Sequence, residues 1–311
     1  MSLPCYPDFV PLSLDQEELL HPRLSLTPDG VCEFTFSALY LSRDWFKYRI
    51  SRGGPNGGFI LSGEKTDKFF MTPCEAPARD ILESLFATHD SWKIIPPAVF
   101  ESSRPDLEAW GITVNEDRDN FDYLYQRGEL AELKGKKYHK KKNLVNQFTQ
   151  AYSHELKPLT KELVPHALEV LDQWRQDKAE DFDYLPAKEA LEKFDLIKMR
   201  GCLFYADGKP AGYCLGESIA KGRIFAIHFE KGIDRYKGIY QYMNQAFAAY
   251  LPNFFTYINR EQDLGDLGLR QAKMTYRPAG FVKKYIGRIL TTEGCCPTDS
   301  LEDTEGREKN E

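Results

Sequence analysis

The run Lys134-Gly-Lys-Lys-Tyr-His-Lys-Lys-Lys-Asn143 puts six lysines within nine residues of an otherwise near-neutral body. Ammonium groups at that density suit an anion such as phosphate, pyrophosphate or the backbone of RNA. A solvated basic face is the plain alternative. At helical spacing, Tyr138, Leu144, Val145, Phe148 and Tyr152 make an apolar stripe, and Lys141 and Lys142 fall on or beside it. Lys137, Lys141, Lys142 and Asn143 are therefore candidate anion-binding residues. A second cluster runs from Tyr257 to Tyr276, where a short strand gives way to a helix. Carboxylates at a strand end facing a cleft can act as general bases. Glu261 and Asp263 are the candidate bases, although Asp263 could equally cap the next helix. Arg270 is a candidate partner for a developing oxyanion, and Asn259, Arg260, Lys273 and Tyr276 are candidates to line the substrate cleft. A third candidate is the turn Arg235-Tyr-Lys-Gly-Ile-Tyr240. There Arg235, Lys237 and Gly238 precede a helix and could meet a pyrophosphate, and an ordinary basic turn is the alternative.

Other chemistries find little support. The six histidines show no metal-ligand spacing, no Gly-x-Ser-x-Gly elbow is present, and no metal is expected. His228 sits alone in an apolar run, which is the usual setting of a satisfied core histidine. The glycines at 53–58 lack the Gly-Lys-Ser/Thr ending of a phosphate loop and read as a hairpin tip. Seven scattered cysteines, with no Cys-x-x-Cys pair, read as reduced cytosolic thiols, so a cytoplasmic location is expected.

The elements that must carry these residues are clearest in the second half. Glu155–Leu159 reads as extended, followed by a helix from Lys161 and a second helix over Pro186–Phe194. Leu196–Tyr205, Pro210–Glu217 and Arg223–Phe229 read as an antiparallel meander. A helix over Tyr236–Tyr250, a strand Phe254–Ile258, a helix Leu264–Lys273 and one closing strand Phe281–Leu290 complete the half. In the first half, a hairpin joins Phe46–Arg52 to Gly58–Ser62, Lys68–Thr72 is a strand, and Pro77–Ala87 is a helix. Phe121–Tyr125 is a strand leading to a helix from Lys136 to Tyr152. This predicts an α/β protein with mixed sheets. The expected division is residues 1–153, residues 154–290, and an acidic, disordered tail over 291–311.

With 311 residues, 42% hydrophobic and 28% charged, the chain has room for two packed domains. Its net charge of −6 argues against a surface coated throughout by nucleic acid, although seven acidic and two basic residues of 293–311 carry most of that charge. The long uncharged stretch Ile239–Asn259 contains Gln241, Asn244, Gln245, Pro252 and Asn253 and does not read as a membrane span.

The element order of the second half is similar to that of the GNAT acyltransferase fold. Phe121-Asp-Tyr-Leu-Tyr125, Gly135-Lys-Lys-Tyr-His-Lys-Lys-Lys-Asn143, Asn259-Arg-Glu-Gln-Asp-Leu-Gly265 and Gly268-Leu-Arg-Gln-Ala-Lys273 with Tyr276 together resemble one family. It is the group of soluble proteins related to the C-terminal domain of phosphatidylglycerol lysyltransferase. The resemblance implies two tandem GNAT-like domains and a fold shared with the peptidoglycan interpeptide-bridge ligases. Those relatives move an aminoacyl group from aminoacyl-tRNA to an amine or hydroxyl. It also matches Glu261, Asp263, Arg270 and Lys273 to the second half's signature, and Lys137, Lys141 and Asn143 to the first half's.

The lipid-modifying enzymes carry a multi-span membrane domain that has no counterpart here, so no integral membrane contact is expected. The leading expectation is a transferase that takes aminoacyl-tRNA as donor and a small-molecule or peptide amine as acceptor, with no tightly bound cofactor. An acyl-CoA-dependent N-acyltransferase and a non-catalytic anion-binding module are the alternatives.

Overall fold

A computed structural model describes residues 3–53, 56, 58–176 and 183–289. Among them the strands are β1 (Val10–Pro11), β2 (Arg49–Arg52), β3 (Phe59–Glu64), β4 (Lys68–Met71), β5 (Ser91–Ile95), β6 (Ile112–Glu116) and β7 (Asp122–Gln126). They continue as β8 (His154–Pro158), β9 (Arg200–Ala206), β10 (Lys209–Ile219), β11 (Ile224–Gly232), β12 (Tyr257–Asn259), β13 (Gly280–Val282) and β14 (Tyr285–Ile289). The helices of the first half are α1 (Glu17–Leu24), α2 (Phe36–Leu41), α3 (Arg43–Phe46), α4 (Arg79–Phe86), α5 (Pro97–Ala109), α6 (Arg127–Glu132) and α7 (His139–Ala151). Those of the second half are α8 (Val164–Gln176), α9 (Tyr184–Lys193), α10 (Ile239–Tyr250) and α11 (Leu267–Met274).

The strands form two mixed sheets of seven, in the orders β1-β2-β3-β4-β5-β14-β6 and β13-β7-β12-β11-β10-β9-β8. The meander β9-β10-β11 and the β2-β3 hairpin form as the sequence predicts. The stretch 88–120, left without elements by the sequence, holds β5, α5 and β6. Prolines at both ends of the α5 start and at Pro105 mask its helical period.

Two expectations change. The run Phe281–Leu290 is not one strand: β13 pairs with β7 in the second sheet, whereas β14 lies between β5 and β6 in the first. The boundary at 153 also cuts across sheet membership, because β7 sits between β13 and β12 of the second sheet. Each half thus lends a strand to the other. Side-chain burial holds the exchange: Tyr123 and Tyr125 of β7 are 0% and 1% exposed, and burying such rings is worth roughly 2–3 kcal/mol each. One apolar core takes in residues of both sheets, including Tyr48, Phe69, Tyr123, Leu215 and Phe229. The tail 291–311 lies outside the described residues.

Candidate active site between the sheets

A cavity of about 1060 Å³ lies where α2, α3, β4 and α9 face the β11 strand and the loop after β12. The loop is shaped from behind. Asn259 is fully buried, and its Oδ1 accepts the Glu261 backbone N–H at 2.8 Å. The Lys273 ammonium donates to the carbonyls of Arg260, Glu261 and Gln262 at 2.6, 3.1 and 2.6 Å. Burial lowers the Lys273 pKa to about 8. These bonds keep Glu261 in the left-handed region at φ 57°, a conformation that costs a non-glycine residue of order 1 kcal/mol or more.

The result is that Glu261 turns into the cavity. Its Oε1 bonds to Nδ1 of His228 at 2.8 Å, and Nε2 of His228 bonds to Glu217 at 3.1 Å. Ser37 of α2 donates to the same Glu217 oxygen. Burial by itself would strip the proton from His228. The flanking Glu217 and Glu261 outweigh burial and raise the pKa to about 10, so the imidazole is a cation at neutral pH. Oε2 of Glu261 has no hydrogen-bond partner among the described residues, and the side chain is 31% exposed to the cavity. His228 owes its position to a bulge: Gly216 pairs with Ile227 and Leu215 with Phe229, leaving His228 as the extra residue. His228 and Phe229 therefore both face the cavity, and Glu230 turns the other way.

Beyond Ala226 and Asn259 the parallel strands β11 and β12 no longer pair. Two side-chain bridges cross the opening: His228 to Glu261 on the cavity side, and Glu230 to Arg260 at 2.8 Å from both carboxylate oxygens. On the Arg260 side, the Lys141 ammonium lies 4.2 Å from the centre of the Tyr276 ring, and the Arg260 guanidinium 5.6 Å. Burial, then the charge of Arg260, lowers the Lys141 pKa.

The other expected residues are distributed as follows. None of Lys137, Lys141 or Lys142 lines the cavity. Lys137 pairs with Glu129 at 2.8 Å, and Lys142 and Asn143 are exposed on α7. Arg235 and Lys237 are exposed, and Arg235 bonds to Tyr236. Gly238 has φ 88°, and a Cβ there would stand 2.4 Å from the Leu144 carbonyl, so α7 is pressed against this turn. The lysine run and the 235–238 turn consequently border one basic surface. The same contact covers one side of the turn expected to meet a pyrophosphate.

Asp263 is neither a base nor a helix cap. It is 0% exposed and accepts from Arg270 at 2.8 and 2.9 Å, Tyr123 at 2.5 Å and the Gly265 N–H at 3.0 Å. Burial would raise its pKa, but these donors drive it well below the usual carboxylate range. Arg270, also paired with Asp119, has no place in the cavity, which removes it as an oxyanion partner. The cap of α11 is Asp266, whose side chain accepts from Leu269. Asp263→Asn is expected to cost about 2 kcal/mol by weakening the charge-assisted hydrogen bonds that the buried carboxylate accepts, read as a lower urea midpoint. Because the folded pKa is depressed, this stabilisation is full above about pH 4 and fades as the solution is acidified below it.

A second buried network supports the floor. The Lys284 ammonium, 0% exposed, bonds to Asp122 at 2.5 Å and to both Glu33 oxygens at 2.7 and 2.5 Å. Asp122 also accepts from the Cys32 N–H and from Asn259. Burial opposes the charge on Lys284, but Asp122 and Glu33 hold it above the ordinary lysine range. Cys32, Glu33 and Asp122 place ligand-type atoms within 4.8 Å of one another, and the ammonium already occupies their midst. Burial, then Asp122, raises the Cys32 pKa, so the thiol is not a ready nucleophile. Cys32 donates to Oε1 of Gln262 at 3.4 Å. Nε2 of Gln262, which lines the cavity, has no partner among the described residues.

Sequence reasoning missed His228, Glu217, Gln262, Glu33 and Lys284. The available signal was a polar residue in each of two facing strands, Glu217 and His228, with apolar neighbours on most sides.

The comparisons agree with this architecture. Residues 25–288 match the profile of the family described as phosphatidylglycerol lysyltransferase, C-terminal. An uncharacterized protein of Mycoplasmoides gallisepticum is 25% identical over 188 residues, covering 57% of this chain and 58% of that protein. The match thus spans little more than half the length of that relative. A conserved protein of unknown function from Bacteroides thetaiotaomicron superposes with a TM-score of 0.79 at 25% identity, covering 93% of this chain and 100% of that one. The structure of L-PGS from Bacillus licheniformis gives a TM-score of 0.58 at 13% identity, covering 93% and 94%, a likeness of fold. The fold is a mixed α/β architecture of two seven-stranded mixed sheets that share strands across the two halves of the chain. Among the described residues, no helix is long and apolar enough to cross a membrane.

Proposed function

The chain belongs to the phosphatidylglycerol lysyltransferase C-terminal family, and on that premise we propose that it is an acyltransferase moving an aminoacyl group from aminoacyl-tRNA to an acceptor amine. The observation that carries this reading is the cavity-facing Glu261, held by a buried imidazolium at the opening between β11 and β12. The acceptor, bound as an ammonium, first releases one proton to water, and the neutral amine nitrogen then bonds to the ester carbon. It then becomes far more acidic and gives its proton to Oε2 of Glu261. The ester C–O bond breaks as the tetrahedral intermediate collapses, and the same proton passes to the departing ribose oxygen. An amide and an alcohol result, and Glu261 ends as a carboxylate. Nε2 of Gln262, a residue that lines the cavity beside Glu261, is a donor available to the developing oxyanion. No covalent enzyme intermediate is needed, and positioning supplies much of the acceleration.

The donor's polyanion suits the basic surface of Lys136, Lys140, Lys142 and Lys237, all exposed. The donor's aminoacyl end must then reach Glu261 between β11 and β12, where the His228–Glu261 and Glu230–Arg260 bridges now cross. The test is to incubate the chain with a panel of charged tRNAs and amines and to follow ester loss and amide gain by mass spectrometry. Amide appearing in step with ester loss, and tRNA binding that weakens steeply with salt, are the expected results. Ester loss no faster than in buffer, across the panel, overturns the reading.

A further inference from the structure

The cavity has a polarity gradient. Its floor presents Glu33 and Glu261 beside His228, with Asp122, Glu217 and Lys284 buried beneath them, and Lys65, Lys93 and Arg175 line it elsewhere. Its wall is apolar, with Leu39, Tyr48, Phe69, Met71 and Ile94 all lining it. At its mouth stand two large apolar side chains that the fold leaves in water, Leu185 and Leu264, exposed by 73% and 68%, beside Trp45, whose ring carries the Lys65 ammonium at 4.5 Å. Exposed apolar groups that continue the wall of a cleft mark a surface that a ligand completes. A volume of about 1060 Å³ is also far more than an amino acid or a short polyamine fills.

We infer that the acceptor is an amphiphilic primary amine, with its ammonium over Glu261 and Glu33 and an apolar body lying along the wall to the Trp45–Leu185–Leu264 mouth. Oε2 of Glu261, unpartnered among the described residues, attracts the ammonium, whereas a phosphate or carboxylate head on the same tail meets like charge there. Burial of the tail against the wall supplies affinity in proportion to its length, until the tail emerges at the mouth. The inference rests on the transfer reading for the fate of the amine, and on the cavity alone for its binding.

Calorimetric titration of the full chain with straight-chain alkylamines from butyl to dodecyl, kept below micelle formation, tests it. The dissociation constant is expected to fall about threefold to fourfold per methylene, from the roughly 0.8 kcal/mol gained per buried CH2. Dodecyl phosphate is expected to bind at least about tenfold more weakly than dodecylamine. Leu185→Asp, on an exposed side chain at the mouth, is expected to weaken dodecylamine while leaving butylamine unchanged. A flat length series, or a phosphate that matches the amine, overturns the inference and leaves acyl transfer to polar amines standing. Length-dependent amine binding with no amide formed from any donor upholds it and counts against the transferase reading.

Discussion

Glu261→Gln is expected to lower the rate of amide formation by about 10² to 10⁴, the usual worth of a positioned proton acceptor. The substitution keeps the size of the side chain and an oxygen that can accept from Nδ1 of His228. It removes the group that collects the proton from nitrogen. The loss is therefore expected in kcat, with a rise in KM for the amine beside it, because the same carboxylate receives the bound ammonium before it collects the proton. A variant that retains wild-type kcat would exclude Glu261 from proton transfer. His228 adds a pH signature. Its folded pKa of about 10 stands above the roughly 6.5 of an unfolded histidine, so its contribution to stability is complete below about pH 6.5. That contribution is lost progressively as pH climbs to about 10. Urea midpoints across this window are expected to fall for the wild type and to change less for His228→Asn.

Lys284→Met is expected to be the most destabilising single change, at about 3–5 kcal/mol, because it strands Asp122 and Glu33 as buried carboxylates without their cation. For a chain of this size, that corresponds to a fall in Tm of roughly 10 °C. The bonds from the Cys32 N–H and Asn259 to Asp122 remain and limit the damage. Adding Asp122→Asn to Lys284→Met is expected to restore part of the loss, since the second change removes one of the stranded charges. A thermal melt of the single variant within about 1 °C of wild type would show that the ammonium contributes nothing net to the fold.

Local pattern made the scaffold of the second half readable. The 3.6-residue stripe through Val145 and Phe148 gives α7, and the turns at Asp207-Gly208 and Lys221-Gly222 give the meander. Glu261 was legible because a carboxylate closing a short strand is conspicuous. His228 was not, because what makes it functional is a one-residue bulge and two carboxylates, 11 and 33 positions away in sequence. Asp263 misled for the opposite reason: its sequence neighbourhood suits a cap, and only the folded loop brings Arg270 and Tyr123 to saturate it. Lys284 was inconspicuous within the expected closing strand Phe281–Leu290. Its partners Glu33 and Asp122 come from the distant first half, so no local window contains them. The six-lysine run was readable as a basic surface. Its separation from the cavity was not, because that depends on which way two consecutive residues, Arg260 and Glu261, turn.

Because β7 and β14 each complete the opposite sheet, the two halves are interlocked rather than juxtaposed. A hinge that swung them apart would have to tear at least one strand from between two neighbours and break a ladder on each side of it. Opening of that kind costs as much as sub-global unfolding and is too rare to serve each turnover. The space above Glu261 is therefore of nearly constant width at its base. Substrates enter and leave by rearrangement of the rim, where side chains such as Leu185 and Leu264 can swing without disturbing a single backbone hydrogen bond of either sheet.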